Sequence, residues 1–304
     1  MKLATLHHEG RDRLAALLDE ETALDLAAAG PGPFDTMLAL IEAGEPGLEA
    51  ARSALLAAPA DARLRLADAR WRVPLTPVQY RDCLVFEEHL RNSFAAAERM
   101  TGRSFAIPEV WFEQPIYYKG NRLSFVGHEE DVIWPRYAEF LDLELELAVV
   151  IGRRGRDVRP EDAASHIFGY AVLNDVSARD AQMREMPGQL GPAKGKDFDT
   201  GNVLGPVIVT ADEVEHPAAL AMEARVNGER WGGGNSRDMH HDFGAILAHV
   251  SASETIWPGE VIGSGTVGTG CGLEIGRRLA PGDRMELTIE GIGTLANTIR
   301  RGEA

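Results

Sequence analysis

The sequence predicts an α+β fold that is mainly β, and three observations carry that prediction. Short apolar runs recur beyond Tyr80 between glycines and prolines, among them "ELAVVIG", "GYAVLND", "GNVLGPVIVT", "AMEARVNGE" and "DRMELTIEGIGTLANTI". Helical patterns there are few by comparison. One run, Leu141 to Leu147, alternates leucine and acid in period two, the spacing of a strand. At 304 residues the chain can bury a sizeable core. A change in texture near residue 75 divides it into a small N-terminal domain, 1–75, and a larger domain, 76–304.

Residues 1–75 are rich in Ala and Leu. His7 and His8 read as exposed loop or strand residues. "GRDRLAALLDEETALDLAAAG" predicts strand, turn and strand before "LDLAAAG". "PFDTMLALIEAGEPGLEAARSALLAA" predicts two helices separated at Gly44–Gly47, with Asp35 as N-cap. "ADARWRVPLTPVQYRD" carries Pro74 and Pro77 and reads as a connector. Helices are then predicted in "DCLVFEEHLRNSFAAAERM", in "RPEDAASHI" and in "DFGAILAHVSAS", the last capped by Asp242. "GGGNS" and "GSGTVGTGCG" lack the spacing of phosphate-binding loops and read as turns.

A net charge of -16 argues against nucleic-acid binding and against docking on anionic membranes. No stretch approaches the roughly 20 apolar residues of a membrane-spanning helix. Cys83 and Cys271 are too few for a disulfide framework or a zinc-type pairing. "MKLATLHHEG" has no apolar run of signal-peptide length. A reducing, cytoplasmic setting is expected.

Four stretches carry chemistry-bearing residues. In "LDLELEL" the leucines share one strand face, and Asp142, Glu144 and Glu146 share the other, about 6–7 Å apart. Such acids are either a solvated face or a group that tolerates itself because a cation lies between its members. "VLNDVSARDAQMRE" places Asp175 at the end of an apolar strand, with Arg179 and Gln182 one helical turn apart. This is either a capped helix start with surface charges or one wall of a pocket. "GPAKGKDFDTGNVLGP" holds Lys196 and Thr200 among acids and glycines, as a polar turn or as a seat for an anionic substrate. "RDCLVFEEHLRN" puts Asp82 seven residues before His89, two turns if helical throughout. His89 is either structural or suited to proton transfer near neutral pH.

Together "LDLELELA", "LNDVSARDAQ", "GKDFDT" and "GSGT" resemble, in order and spacing, the fumarylacetoacetate hydrolase superfamily. The resemblance covers roughly Tyr80 to Ile299 and implies that family's mixed β-sandwich or roll as the catalytic domain. It implies Glu144, Glu146 and Asp175 as metal ligands, with Asp82 as a fourth, and gives Asp142 no ligand role. It implies His89 as catalytic base, oriented by Glu274, with Lys196 also catalytic. Arg179, Gln182, Tyr118 and Thr266 match substrate-contacting positions, and Thr200 a threonine near the metal. An all-oxygen set of this kind suits Mg²⁺, with Mn²⁺ or Ca²⁺ as alternatives. Leu84 and Met186 replace substrate-contacting tyrosines, the loop between Thr266 and Glu274 is shortened, and Asn92 stands where smaller members carry the glutamate of the dyad.

The implied activity is metal-dependent hydrolysis of a carbon–carbon bond in a 1,3-diketo acid of the acylpyruvate or fumarylpyruvate kind. His89 would activate water, and the metal would stabilise the enolate. The alternatives in the same fold are a 2-oxoacid decarboxylase, a dienoate isomerase, or a sugar-acid hydratase or lyase. A different class is a non-catalytic scaffold around a structural Ca²⁺. The expected partner is a small diketo or 2-oxo acid, and the expected assembly a homodimer.

Overall fold

Two sheets organise the chain in the computed structural model, which describes residues 1–302. The larger, of twelve strands, runs along its main path from Arg63–Arg65 through Thr22–Asp25, Arg11–Leu17, Lys2–His8, Asn202–Thr210, Ile167–Asp175, Leu145–Ile151, Val261–Gly263 and Tyr80–Cys83 to Tyr117–Lys119. Most neighbours are antiparallel, but Tyr80–Cys83 runs parallel to Val261–Gly263. A five-stranded sheet, ordered Glu229–Asn235, Ala221–Val226, Arg284–Ile289, Gly293–Arg301 and Val132–Trp134, packs against one face of the first. The result is a mixed, strand-dominated α+β fold.

Strand Leu145–Ile151 explains how the core is split. Leu145, Leu147, Val149 and Ile151 point into the cluster shared with Leu287 and Ile289 of the smaller sheet. Ala148 and Val150 point the other way, onto a second cluster with Met37, Leu40 and Ile41. Both faces of the strand are therefore covered, as its apolar run Ala148–Ile151 predicts. Strand Lys2–His8 hydrogen-bonds Asn202–Thr210, so the sheet runs without a break from the N-terminal strands into the rest of the fold.

Several local expectations are met. Arg11–Leu17 and Thr22–Asp25 pair antiparallel. Helix Met37–Ala57 breaks at Gly44, whose φ of 61° and ψ of -144° are not helical. Asp242 caps Phe243–Ser251 through Ala245 N.

Others need correction. Thr36, not Asp35, caps helix Met37–Ala57, accepting from Ala39 N. The helix expected from Asp82 starts only at Glu87, and Asp82 itself lies on strand Tyr80–Cys83. "RPEDAASHI" winds as a tighter 3₁₀ helix, Pro160–His166. "AMEARVNGE" is a strand to Val226 followed by an Asn227–Gly228 turn, both residues at positive φ, which starts a hairpin. "GGGNS" is not a turn: Gly232, Gly233 and Gly234 lie inside strand Glu229–Asn235.

Candidate active site

The alternating run is not one strand. Leu141–Asp142 pairs with Ser177–Ala178, while Leu145–Ile151 pairs with Ile167–Asp175. Between them Glu144 bridges Cys271, and its backbone N–H donates to Asn174 Oδ1 at 2.9 Å. All three acids are buried, at 0%, 5% and 0% exposure for Asp142, Glu144 and Glu146, so none belongs to a solvated face. Burying a leucine contributes only about 1.5–3 kcal/mol. Burying an uncompensated carboxylate costs several kcal/mol. Each acid therefore needs partners, and the three find different sets, with Arg179 shared by Asp142 and Glu144.

Glu146 faces Asp82 and Asp175. One carboxylate oxygen from each of the three lies within 4.8 Å of the others. The sheet brings them together: Asp82 is in register with Gly263 on one side and Tyr118 on the other, and Asp175 ends the strand that pairs with Glu146's own. Gly265 N–H donates to Glu146 Oε2 at 3.1 Å, and Thr266 Oγ1 is 3.5 Å from Oε1. Tyr118 O–H donates to Asp175 Oδ2 at 2.7 Å. Asp82 Oδ1 and Asp175 Oδ1 are buried with no hydrogen-bond partner. Burial, and then the charge of Asp175, push the Asp82 carboxyl well above its ordinary value. Burial and Asp82 do the same to Glu146. Asp175 is also raised by burial, with Lys196 opposing.

These residues fit a divalent cation. The donors are all hard oxygens, two of them orphaned, and nearby positive charge would relieve each raised carboxyl. Gly263 keeps the space clear: a Cβ there would stand 2.2 Å from Asp82 Oδ1 and 2.7 Å from Glu146 Oε2.

Glu144 turns to cations of the chain itself. Lys196 Nζ lies 2.5 Å from its Oε2 and 2.5 Å from Asp175 Oδ2, and Arg179 Nη2 lies 2.7 Å from its Oε1. Burial raises the Glu144 carboxyl, but Arg179, Lys196 and His89 together outweigh this and hold it well below the ordinary range. Burial likewise opposes the Lys196 charge, and Asp175 and Glu144 override it. Asp142 lies with neither group of acids. Its Oδ2 accepts from Arg179 Nε and Nη2 at 3.0 and 2.9 Å, and its two oxygens accept the Gly272 and Leu273 N–H groups. Arg179 also donates to Gln182 Oε1 at 3.2 Å, so its guanidinium is occupied by protein groups.

His89, buried on helix Glu87–Thr101, has Nδ1 2.7 Å from Glu274 Oε1. A carboxylate offers only lone pairs, so Nδ1 carries the hydrogen, and in the neutral imidazole Nε2 is then the nitrogen with the free lone pair. That Nε2 lies 3.9 Å from Glu144 Oε1, on the edge of the acidic cluster. The Thr200 hydroxyl accepts from Ile133 N–H at 2.8 Å, and the residue sits at a φ of 67°.

Sequence reasoning misses Asn174, Tyr80 and Thr269. Asn174 stands beside Asp175 and carries a visible signal in the "ND" pair. The Tyr80 hydroxyl is buried and unpartnered, and is raised by burial and then by Asp175, Asp82 and Glu146. No local pattern marks it.

Residues 83–300 match the family described as fumarylacetoacetate (FAA) hydrolase C-terminal. The human mitochondrial oxaloacetate tautomerase FAHD2A is 34% identical over 285 residues, covering 91% of this chain and 83% of that protein. The fumarylacetoacetate hydrolase of the psychrophile Exiguobacterium antarcticum superposes with a TM-score of 0.78 at 30% identity, over 99% of this chain and 100% of that one. Maleylpyruvate hydrolase of Sphingobium sp. SYK-6, solved in complex with manganese(II) and pyruvate, superposes with a TM-score of 0.77 at 26% identity, over 100% of both chains. No helix among the described residues is long and apolar enough to cross a membrane. Sequence and fold agree, and the chain belongs to the fumarylacetoacetate hydrolase family.

Proposed function

We propose that this protein is a divalent-cation-dependent enzyme of enolate chemistry that interconverts the keto and enol forms of a 2-oxo dicarboxylic acid, oxaloacetate in the first instance. The observation that carries the reading is the His89–Glu274 pair, whose free Nε2 borders a buried cluster of three carboxylates and the Lys196 ammonium. The name borne by the human relative supports the choice of substrate.

Asp82, Glu146 and Asp175 would hold the cation, with Glu144 beside them, and Mg²⁺ or Mn²⁺ suits their oxygens. When bound, such an ion supplies Lewis-acid stabilisation of an enolate. His89 Nε2 takes the proton from the carbon next to the carbonyl and returns it to the enolate oxygen, so no atom is gained or lost. Glu274 holds the imidazole in the required tautomer and balances its transient charge. Lys196, kept charged by Glu144 and Asp175, stands beside the developing oxyanion. Tyr118 and Thr266 fix the Asp175 and Glu146 carboxylates.

A second reading is hydrolysis of a carbon–carbon bond in an acylpyruvate-like 1,3-diketo acid. It uses the same pair, with His89 activating water, and the Exiguobacterium and Sphingobium hydrolases support it. One panel separates the two. With Mg²⁺, oxaloacetate tautomerisation and C3 deuterium exchange are followed by NMR, and acylpyruvates and fumarylpyruvate are assayed for cleavage products by mass spectrometry. Tautomerisation without cleavage supports the first reading. Cleavage at a comparable or higher rate overturns it in favour of the second.

A further inference from the structure

Two glycine-rich stretches, "GGGNS" and "GSGTVGTGCG", lie together beside the His89–Glu274 pair. The Glu274 carboxylate accepts from four donors: His89 Nδ1 at 2.7 Å and Cys271 Sγ at 3.4 Å on Oε1, Asn92 Nδ2 at 3.0 Å and the Thr269 backbone N–H at 2.8 Å on Oε2. These fill the roughly four lone-pair sites of a carboxylate. Asn92 follows His89 by three residues on one helix, so both face Glu274 from the same side. Thr269 comes from the opposite side, and its backbone sits at a φ of 61°, a conformation a β-branched residue seldom adopts.

Strand Glu229–Asn235 holds Thr269 in that conformation. Thr269 Oγ1 donates to Gly233 O at 3.0 Å and accepts from Gly233 N–H at 3.1 Å. The neighbouring Gly232 allows this approach, because a Cβ there would stand 1.9 Å from the Thr269 carbonyl oxygen. The glycines inside the strand thus seat the loop whose amide points at Glu274.

We infer that Asn92 and the Thr269 loop, seated on Gly232 and Gly233, are positioning elements that clamp Glu274 from two sides and so hold His89 in the tautomer with Nε2 free. Neither touches the reacting atoms; both act through Glu274. The inference rests on the proton-transfer role of His89 proposed above, and it adds residues that role alone does not require.

The test uses the full chain loaded with Mg²⁺ and the variants Asn92→Ala, Asn92→Leu, Gly232→Ala and His89→Ala. Histidine side-chain ¹H–¹⁵N spectra report the tautomer, with the His89 signals assigned by their loss in His89→Ala. In the wild type His89 shows a protonated Nδ1 and a bare Nε2. Asn92→Ala should introduce the other tautomer or broaden the signal. It should also lower kcat by about 10- to 100-fold, as expected when a reacting group is misplaced by a fraction of an ångström to 1 Å. KM and the Mg²⁺-induced rise in Tm should hold. Asn92→Leu keeps the size of the side chain and adds no charge but removes the amide donor, so it should behave like Asn92→Ala, whereas a mere packing role would leave it near the wild-type rate. Gly232→Ala displaces the Thr269 loop and should give the same split between kcat and KM even if an Asn92 variant fails to fold. Wild-type kcat and tautomer in Asn92→Leu and Gly232→Ala overturn the clamp, whatever His89→Ala does. A wild-type rate in His89→Ala overturns the catalytic reading instead, and the spectra then decide the clamp on their own.

Discussion

Replacing Gly263 by alanine perturbs the acidic cluster without removing any of its oxygens. The new Cβ would lie 2.2 Å from Asp82 Oδ1 and 2.7 Å from both Glu146 Oε2 and Leu173 Cδ2. To regain the 3.4 Å of an ordinary contact, Asp82 Oδ1 has to move by about 1.2 Å. It has little room to do so. Asp82 is 3% exposed, has a short side chain, and lies on the strand paired directly with Gly263. Metal–ligand distances tolerate deviations of only about 0.2 Å, so the move takes Asp82 out of bonding range or forces the ion away from its other oxygens. Disturbing even an outer contact of a metal site costs about 10–100-fold in affinity. Displacing an inner one should cost about 100-fold or more, some 2.7 kcal/mol. Overpacking adds a stability loss of about 1–3 kcal/mol. Isothermal titration with Mn²⁺ and thermal unfolding with and without the ion would measure both. A Gly263→Ala protein that folds and binds Mn²⁺ like the wild type would refute the assignment of the cation to Asp82, Glu146 and Asp175.

Three further outcomes follow from the same contacts. Asp142→Asn should leave Mn²⁺ affinity near wild type but destabilise the fold by about 3–5 kcal/mol in urea unfolding, because it breaks a buried pair with Arg179. His89→Ala should lower kcat by about 10²–10⁴-fold with little change in Mn²⁺ binding, read by tautomerase assay and titration. In the chelator-treated protein the raised Asp82 and Glu146 carboxyls contribute stability that is present at low pH and lost as pH rises through their folded values. The rise in Tm on adding Mg²⁺ should therefore be larger at pH 8 than at pH 5.5, and a constant rise would count against a protonated cluster.

Much of the fold is legible in the sequence because its strands are buried on both faces and punctuated by glycine and proline, as with Leu145–Ile151 and Ile167–Asp175. The hairpin at Asn227–Gly228 carries a readable turn signal as well. The start of the His89 helix is less legible: Asp82 to Met100 contains enough helix-forming residues to extend the pattern, and only pairing of Tyr80–Cys83 with Val261–Gly263 draws the first residues into the sheet. The strand character of Gly232–Gly234 is hidden for a similar reason. Glycine there answers a close approach by Thr269, a residue some 36 positions away. In the site, residue types are legible and partnerships are not. Period two places Asp142, Glu144 and Glu146 on one face, but the bridge from Glu144 to Cys271 interrupts the strand, and the acids meet different sets of partners.

That division shapes what the site can bind. Asp82, Glu144, Glu146, Asp175 and Asp142 bring five buried carboxyl groups against the two cations Lys196 and Arg179. Both cations are engaged: Lys196 by Glu144 and Asp175, Arg179 by Asp142, Glu144 and Gln182. Arg179 thereby neutralises Asp142 and Glu144 and shapes the wall of the site. A dicarboxylic substrate carries two more negative charges into this excess of acids. Without a divalent cation the chain offers no unengaged positive group among the cluster residues to offset them, and a buried charge left unpaired costs several kcal/mol. Substrate binding and cation binding should therefore be coupled. Oxaloacetate should produce no binding heat with the chelator-treated protein and a measurable heat with the Mg²⁺-loaded one. Equal oxaloacetate affinity in the two states would mean that the substrate's carboxylates are received elsewhere, away from the acids described.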